Sequence, residues 1–166
     1  YYFKDIQELV HQAFTLCSSK ITANISLAWQ PAIDLLSDIN KSDLRKVSEK
    51  EKLREKLSNM ITQQILKRIS NSQVELAVQQ LLFTEVQISP QLHTLAEVHR
   101  ASLLAPFKRM CEFLNSPSAN IDAEIMLMVF SQLEYRNISL PSEEIAYENI
   151  QTMVSRVIGN IMRLKD

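Results

Sequence analysis

Apolar residues recur at helical spacing along most of this chain, and capping residues mark where several helices begin. Asp5 with Glu8 three residues later forms a capping-box pattern, which predicts a helix start at Asp5. The first apolar face consists of Ile6, Leu9, Val10, Ala13 and Phe14. The stripe continues to Trp29, and Pro31 is predicted to end or kink the helix because proline lacks an N–H donor. Residues 32–39 then form a short separate apolar piece.

Five further helices are predicted downstream of this first one. They extend from Ser48 through a buried stripe to Ile69, from Gln73 to Gln87, from Pro90 to Leu114, from Ile121 to Asn137 and from Ser142 to Leu164. Ser48, Ser72 and Ser89 are the predicted N-caps. Pro106 lies inside the helix that starts at Pro90, where it predicts a kink or a break with open space for a ligand cavity. The pattern therefore predicts an all-α fold, a helical bundle of about six helices.

The last two predicted helices carry apolar stripes that are wider than packing on a single core requires. On the final helix, apolar residues from Tyr147 to Leu164 recur at heptad-like spacing, and flanking residues widen this stripe to roughly half of the circumference. A terminal helix needs about a third of its surface to dock on its own core. We therefore expect a second contact surface on these helices. The alternative is that both helices are buried within one chain.

Composition narrows the possible classes of protein. The chain has 166 residues, 46% hydrophobic and 22% charged, which suits one globular domain with its own core. Gly159 is the only glycine, so repeated tight β-turns are excluded. The net charge is −1, and a chain with this charge is not by itself a nucleic-acid-binding module. No apolar run approaches the roughly 18 residues that a membrane-spanning helix needs.

No catalytic or metal-binding constellation is visible in the sequence. The three histidines, at positions 11, 93 and 99, do not have the spacing of a metal-binding helix. Cys17 and Cys111 have no CxxC partner, and reduced buried thiols are the simpler interpretation. A single glycine also excludes the glycine-rich loops that hold phosphates. We therefore predict a binding protein without enzymatic activity, metal or cofactor.

The first residues of the chain carry a family resemblance. Tyr1, Tyr2, Phe3 and Lys4, followed by the acidic and apolar pattern of residues 5–9, resemble the end of the DNA-binding head of TetR-family transcriptional regulators. The helix order downstream also fits, although the polar stretch over residues 40–46 departs from the commonest family layout. The resemblance implies that residues 1–4 are a remnant of a helix-turn-helix head and that residues 5–166 form an effector-binding and dimerisation domain. It also implies that Tyr1, Tyr2 and Lys4 contact DNA. Because the chain has no initial Met, we expect the rest of the head to precede Tyr1.

The same resemblance implies a function and a set of partners. The expected protein is an effector-responsive transcriptional regulator of the repressor type in the bacterial cytoplasm, with operator DNA bound through the head and no membrane partner. It is expected to be a homodimer in which the last two helices of each chain form a four-helix bundle. The predicted interface residues are Ile125, Met128, Val129, Leu133, Tyr147, Ile150, Val154, Val157 and Ile161.

A small apolar or amphipathic effector is expected among the helices. The candidate lining residues are Trp29, Met60, Gln64, Leu82, Phe83, His99, Leu103, Phe107, Met110 and Met126. For most of them, plain core packing is the competing interpretation. Gln64, His99 and Cys111 stand out because a polar group on a buried face needs a partner, which a ligand can supply. The competing function is that of an all-helical protein-interaction domain, or a carrier of lipids or small molecules, without a DNA role.

Overall fold

The computed structural model of the chain describes residues 5–85 and 90–165. These residues form six α-helices and three short 3₁₀-helices, and none of them lies in a strand. The α-helices are α1 (Ile6–Ser37), α2 (Val47–Asn71), α3 (Gln73–Glu85), α4 (His93–Phe113), α5 (Ala119–Asn137) and α6 (Tyr147–Ile161). The 3₁₀-helices span Asp43–Arg45, Pro90–Leu92 and Ser142–Glu144. The predicted all-α fold is confirmed. Within the described ranges, none of the helices has the length and hydropathy needed to cross a bilayer.

Helix α1 runs without interruption through Pro31 to Ser37. Of the two predicted outcomes at this proline, an end or a kink, the end is therefore wrong, and so is the prediction of a separate apolar piece over residues 32–39. Proline in a helix interior removes one hydrogen bond and crowds the preceding turn. The turns beyond Pro31 are held by packing, because Ala32, Ile33 and Leu36 are all buried in the core. Burial of such side chains contributes about 1.5–3 kcal/mol each for the larger ones, which offsets the cost of the proline.

The helix starts follow the sequence only in part. The cap of α1 is present, since the backbone N–H of Glu8 donates to Asp5 Oδ1 at 2.9 Å. Ser48 is not a cap, because α2 already begins at Val47. The predicted cap at Ser89 and the predicted helix end at Gln87 lie outside the described residues.

The final helix is shorter than predicted at both ends. Residues 142–144 form a separate 3₁₀ turn, and the extended backbone of Ile145 (φ −75, ψ 117) separates this turn from α6. At the other end, Arg163 has φ 57, a left-handed conformation typical of the residue that follows a helix. Helix α4, by contrast, continues through Pro106 as a single helix, so the alternative of a break into two short helices is wrong.

One hydrophobic core joins the helices. Helix α4 packs mainly on α5, and α6 packs on α2, whereas α1 contacts α2, α3 and α4. Three aromatic rings meet near the centre of this core. The ring centroid of Trp29 lies 5.0 Å from that of Phe107 and 6.4 Å from that of Phe130, and the rings of Phe107 and Phe130 are 5.6 Å apart. Helices α1, α4 and α5 are therefore joined by aromatic packing.

The only glycine of the chain has a packing role on α6. A Cβ atom at Gly159 would lie 2.6 Å from Cζ of Arg54, so a glycine allows this guanidinium to rest against the helix. Arg54 Nε also donates to the carbonyl oxygen of Ser155 at 3.0 Å. Lys50 Nζ donates to the carbonyl oxygen of Met162 at 3.0 Å. Long side chains of α2 thus hold α6 along its length.

Candidate functional site

The predicted effector-lining residues are mostly core residues. Trp29, Leu82, His99, Leu103, Phe107, Met110 and Met126 are buried, whereas Met60, Gln64 and Phe83 are half-buried. The buried members pack on one another, as the contact between Trp29 and Phe107 illustrates. Their side chains fill the centre of the bundle. Polar groups within and beside this centre are therefore the better guide to a site.

An ion pair that the sequence analysis did not identify lies inside the core. Arg68 Nε on α2 donates to Glu134 Oε2 on α5 at 2.6 Å, and both side chains are more than nine-tenths buried. Arg68 Cζ also lies 6.0 Å from the ring centroid of Trp29, within the range of a cation–π interaction. Burial raises the pKa of the Glu134 carboxyl, and the Arg68 guanidinium partly offsets this rise. The buried charges of Arg68 and Glu134 thus compensate each other inside the core.

A chain of neutral polar groups lies beside this ion pair. His99 Nε2 on α4 is 2.8 Å from Gln79 Oε1 on α3, and Gln79 Nε2 donates to the Tyr135 hydroxyl on α5 at 2.7 Å. Because the Gln79 oxygen is an acceptor, His99 carries its proton on Nε2. The His99 ring also packs between Phe14 and Phe83, with centroid distances of 4.8 and 5.8 Å. We call Arg68, Gln79, His99, Glu134 and Tyr135 the polar centre.

Burial keeps His99 and Tyr135, the two ends of this hydrogen-bonded series, uncharged at neutral pH. Burial, together with the nearby charge of Arg68, lowers the pKa of His99 to about 4. Burial likewise raises the pKa of Tyr135 to about 12. At neutral pH both side chains therefore act as uncharged hydrogen-bonding groups. Neither side chain therefore gains or loses a proton near pH 7.

We expect the free energy of unfolding to fall as the pH decreases from about 6.5 to about 4, because His99 gains a proton more readily in the unfolded chain. The loss attributable to His99 is about 3 kcal/mol when complete, at about 1.4 kcal/mol for each pH unit between the two pKa values. Urea denaturation at several pH values measures it. His99→Gln should flatten this part of the profile, whereas His93→Gln, at an exposed position, should not. Equal profiles for the wild type and His99→Gln would contradict the assignment.

Cys111, the third polar group singled out on a buried face, has a partner within the protein. Its Sγ lies 3.5 Å from Met126 Sδ. Burial, together with the nearby carboxylates of Asp122 and Glu112, raises the pKa of the Cys111 thiol to about 12. A thiol with such a pKa is a poor nucleophile at neutral pH. Cys17 and Cys111 are both free thiols.

A surface groove reaches the polar centre from the side of α1 and α2. Its volume is about 340 Å³. It is lined by Lys20, Asn24, Leu27, Ala28, Pro31, Gln64, Lys67, Arg68, Asn71 and Ser72, and we call it the α1–α2 groove. Arg68 belongs both to this groove and to the polar centre. Gln64, predicted from the sequence to line a ligand site, faces this groove. No sequence pattern indicated the groove itself.

The predicted interface residues fall into three groups according to their exposure. Leu133, Ile150, Val154 and Ile161 are buried by their own chain, and Val129 and Val157 are half-buried. Ile125, Met128 and Tyr147 are exposed. Ile121, which the sequence analysis did not include, is also exposed and lies one turn before Ile125 on α5. The exposed residues Ile121, Ile125 and Met128 follow helical spacing, and we call them the α5 stripe.

The remaining predictions concern DNA contacts and metal binding. Tyr1, Tyr2 and Lys4, predicted to contact DNA, lie outside the described residues. Over residues 5–85 and 90–165, no group of three His, Cys, Asp or Glu side chains is arranged to hold a metal ion.

Comparison with known proteins found no family model that matches the chain and no curated protein that matches it. The polar centre, the α1–α2 groove and the α5 stripe are therefore the features of the structure that bear on function.

Proposed function

We propose that this chain is the regulatory and dimerisation domain of a TetR-like transcriptional repressor, in which a small amphipathic effector controls DNA binding. The observation that carries the proposal is the continuity of α1. This single helix extends from Ile6 to Ser37, or about 48 Å at 1.5 Å per residue. Its first turn follows the residues that resemble the DNA-binding head. Further along, it provides Trp29 to the core and Lys20, Asn24 and Leu27 to the α1–α2 groove.

The continuity of α1 supports a mechanical link between ligand and head. A ligand in the α1–α2 groove contacts the same rigid helix that leads to the head. It changes the separation of the two heads only as far as it binds one arrangement of α1 more tightly than the other. In a two-fold dimer, the heads enter successive major grooves of a palindromic operator, so their separation decides the affinity for DNA. This is the mechanism of the proposed repressor.

The α5 stripe supports the dimer. Ile121, Ile125 and Met128 are 62%, 44% and 65% exposed, and they share one helical face. Exposed apolar residues that are contiguous in this way mark interaction surfaces more often than scattered ones do. Because α5 is the penultimate helix, this face lies where the family resemblance places the partner chain. We propose that a second copy of the chain covers the α5 stripe.

The dimer is tested by placing a charge on the α5 stripe. Met128→Glu is expected to weaken dimerisation at least about tenfold, since burying an unpaired carboxylate costs more than about 1.4 kcal/mol. Sedimentation velocity over a range of concentrations measures the change. The matched control is Val98→Glu on α4, because Val98 is 64% exposed and lies outside the stripe. A wild-type chain that is monomeric at every concentration, or equal weakening by both variants, would contradict the proposed interface.

The repressor function is tested with protein that includes the residues preceding Tyr1. The expected result is tighter binding to its own promoter than to random DNA of equal length at the same salt concentration, measured by fluorescence anisotropy. A purified effector should then weaken the specific binding. Saturable ligand binding without any preference for the promoter would overturn the proposal of a repressor and favour a carrier domain instead.

A further inference from the structure

We propose that the α1–α2 groove is a binding site for a small amphipathic anion, with a carboxylate or phosphate group held by Arg68 and Lys67. The proposal rests on the proposed function only in identifying this anion as the effector. The site itself follows from three properties of the groove: the signs of its charges, the position of Arg68, and the apolar residues that α1 contributes to it.

The charges of the α1–α2 groove distinguish it from two other grooves on the molecule, whereas a third, lined by Arg136, likewise has no acidic lining residue. Lys20, Lys67 and Arg68 line it, and none of its described lining residues is acidic. A groove of about 690 Å³ between α2 and α6 includes three glutamates beside three basic residues among its lining residues. A groove of about 380 Å³ beside the start of α2 includes two aspartates and one glutamate. An anion therefore meets less repulsion in the α1–α2 groove than in either of these.

The basic side chains of the groove differ in their availability. Lys20 Nζ is 2.5 Å from Glu75 Oε1, so this lysine is already engaged in an ion pair. Arg68 is neutralised by Glu134, but this contact uses only its Nε–H group. A guanidinium carries four further N–H donors on its Nη atoms, in a planar arrangement that matches carboxylate and phosphate oxygens. Lys67, exposed on the same wall, adds a positive charge. Arg68 and Lys67 are therefore the main binding groups.

Arg68 is held rigidly before any ligand arrives. Its side chain is only 8% exposed, and its guanidinium is fixed between Glu134 and the ring of Trp29. A donor that is already ordered loses little conformational entropy on binding, so it contributes more affinity than a mobile surface lysine does. Asn71 and Gln64 on the same helix line the groove beside it and offer further polar groups.

On the opposite wall of the groove, apolar residues next to Lys20 and Asn24 select the body of the ligand. Helix α1 contributes Leu27, Ala28 and Pro31, and Leu27 is 73% exposed although it is a leucine. A volume of about 340 Å³ lies at the lower end of the range for small-molecule sites. The fitting ligand is therefore a small anion with a short apolar chain. A carboxylate and a phosphate monoester share this chemistry.

The only tryptophan of the chain provides a reporter for the experiment. Because Arg68 Cζ lies 6.0 Å from the Trp29 ring, an anion on the guanidinium should alter Trp29 emission. The protein is titrated with sodium hexanoate, hexyl phosphate or hexylamine at constant ionic strength. We expect saturable binding of at least one of the two anions and none of hexylamine, which has the same chain but a positive charge. The anion that binds more tightly identifies the head group.

Matched lysine variants locate the binding. Lys67→Gln should weaken anion binding about fivefold, whereas Lys41→Gln, at an exposed position outside the groove, should leave the affinity unchanged. Both substitutions are on the surface, so both variants are expected to fold. Calorimetry of the same samples detects binding that leaves Trp29 emission unchanged. Equal affinity for hexylamine, equal effects of the two substitutions, or no saturable binding of either anion would overturn the proposal.

The outcomes separate the site from the proposed function. Anion binding that depends on Lys67 but does not change the affinity of the complete protein for its promoter would establish the site and remove its role as an effector site. Promoter-specific binding without any binding of these anions would keep the repressor and overturn the anion site.

Discussion

Replacing Arg68 with methionine is expected to lower the free energy of unfolding by about 3–5 kcal/mol, because the substitution leaves the Glu134 carboxylate buried without its partner. The total stability of a domain is about 5–15 kcal/mol, so this loss is a large fraction of it. Urea denaturation at pH 7, followed by circular dichroism, measures the effect. The loss should shrink at lower pH, where Glu134 takes up a proton, since burial already raises its pKa.

Two controls distinguish an unpaired buried charge from a general packing defect. The double variant Arg68→Met with Glu134→Leu removes both charges and should recover most of the stability. Arg100→Met breaks a corresponding pair with Glu124 that is only partly buried, and it should cost less than about 1 kcal/mol. If the double variant is as unstable as Arg68→Met alone, the cost arises from lost packing instead, and the ion pair is not the cause.

The Arg68–Glu134 ion pair could be predicted only in part from the sequence. Arg68 follows Ile61 and Ile65 at helical spacing, next to Ile69, and these three isoleucines are fully or almost fully buried. A charged residue beside such a stripe needs a partner only if its head group is itself buried, which the sequence does not show. The partner itself could not be found, because Glu134 lies on another helix and only the packing of α2 on α5 brings the two together. Periodicity describes one helix at a time.

The helices themselves were largely predictable, since apolar spacing is a local property, but the predicted cap at Ser48 was wrong. Pro31 is an informative exception, because local reasoning counts the lost hydrogen bond but not the core that the next turns reach. Ile150 and Val154 are a second exception. The width of their stripe was visible in the sequence, but only the structure shows that α2 and α5 cover these two residues, leaving the α5 stripe open. A wide apolar face predicts contact without identifying which neighbour provides it.

Phe130→Ala is expected to destabilise the fold by about 3–5 kcal/mol, because this 1% exposed ring packs between Trp29 and Phe107 and its loss leaves a cavity. Thermal and urea denaturation measure the change. Phe113→Ala, at a half-buried position on α4, is the control and should cost clearly less. Similar losses for both variants would mean that the core around Phe130 collapses to fill the space.

The same variant separates the two possible locations of a ligand. An empty apolar cavity in a core binds small apolar probes such as benzene. The wild type should not take up benzene among the buried residues, because Trp29, Phe107 and Phe130 already fill that space, whereas Phe130→Ala should. Uptake is measured as a benzene-dependent rise in melting temperature. Equal uptake by the wild type would mean that the aromatic centre opens for ligands, and the predicted lining residues would then form the effector site in place of the α1–α2 groove.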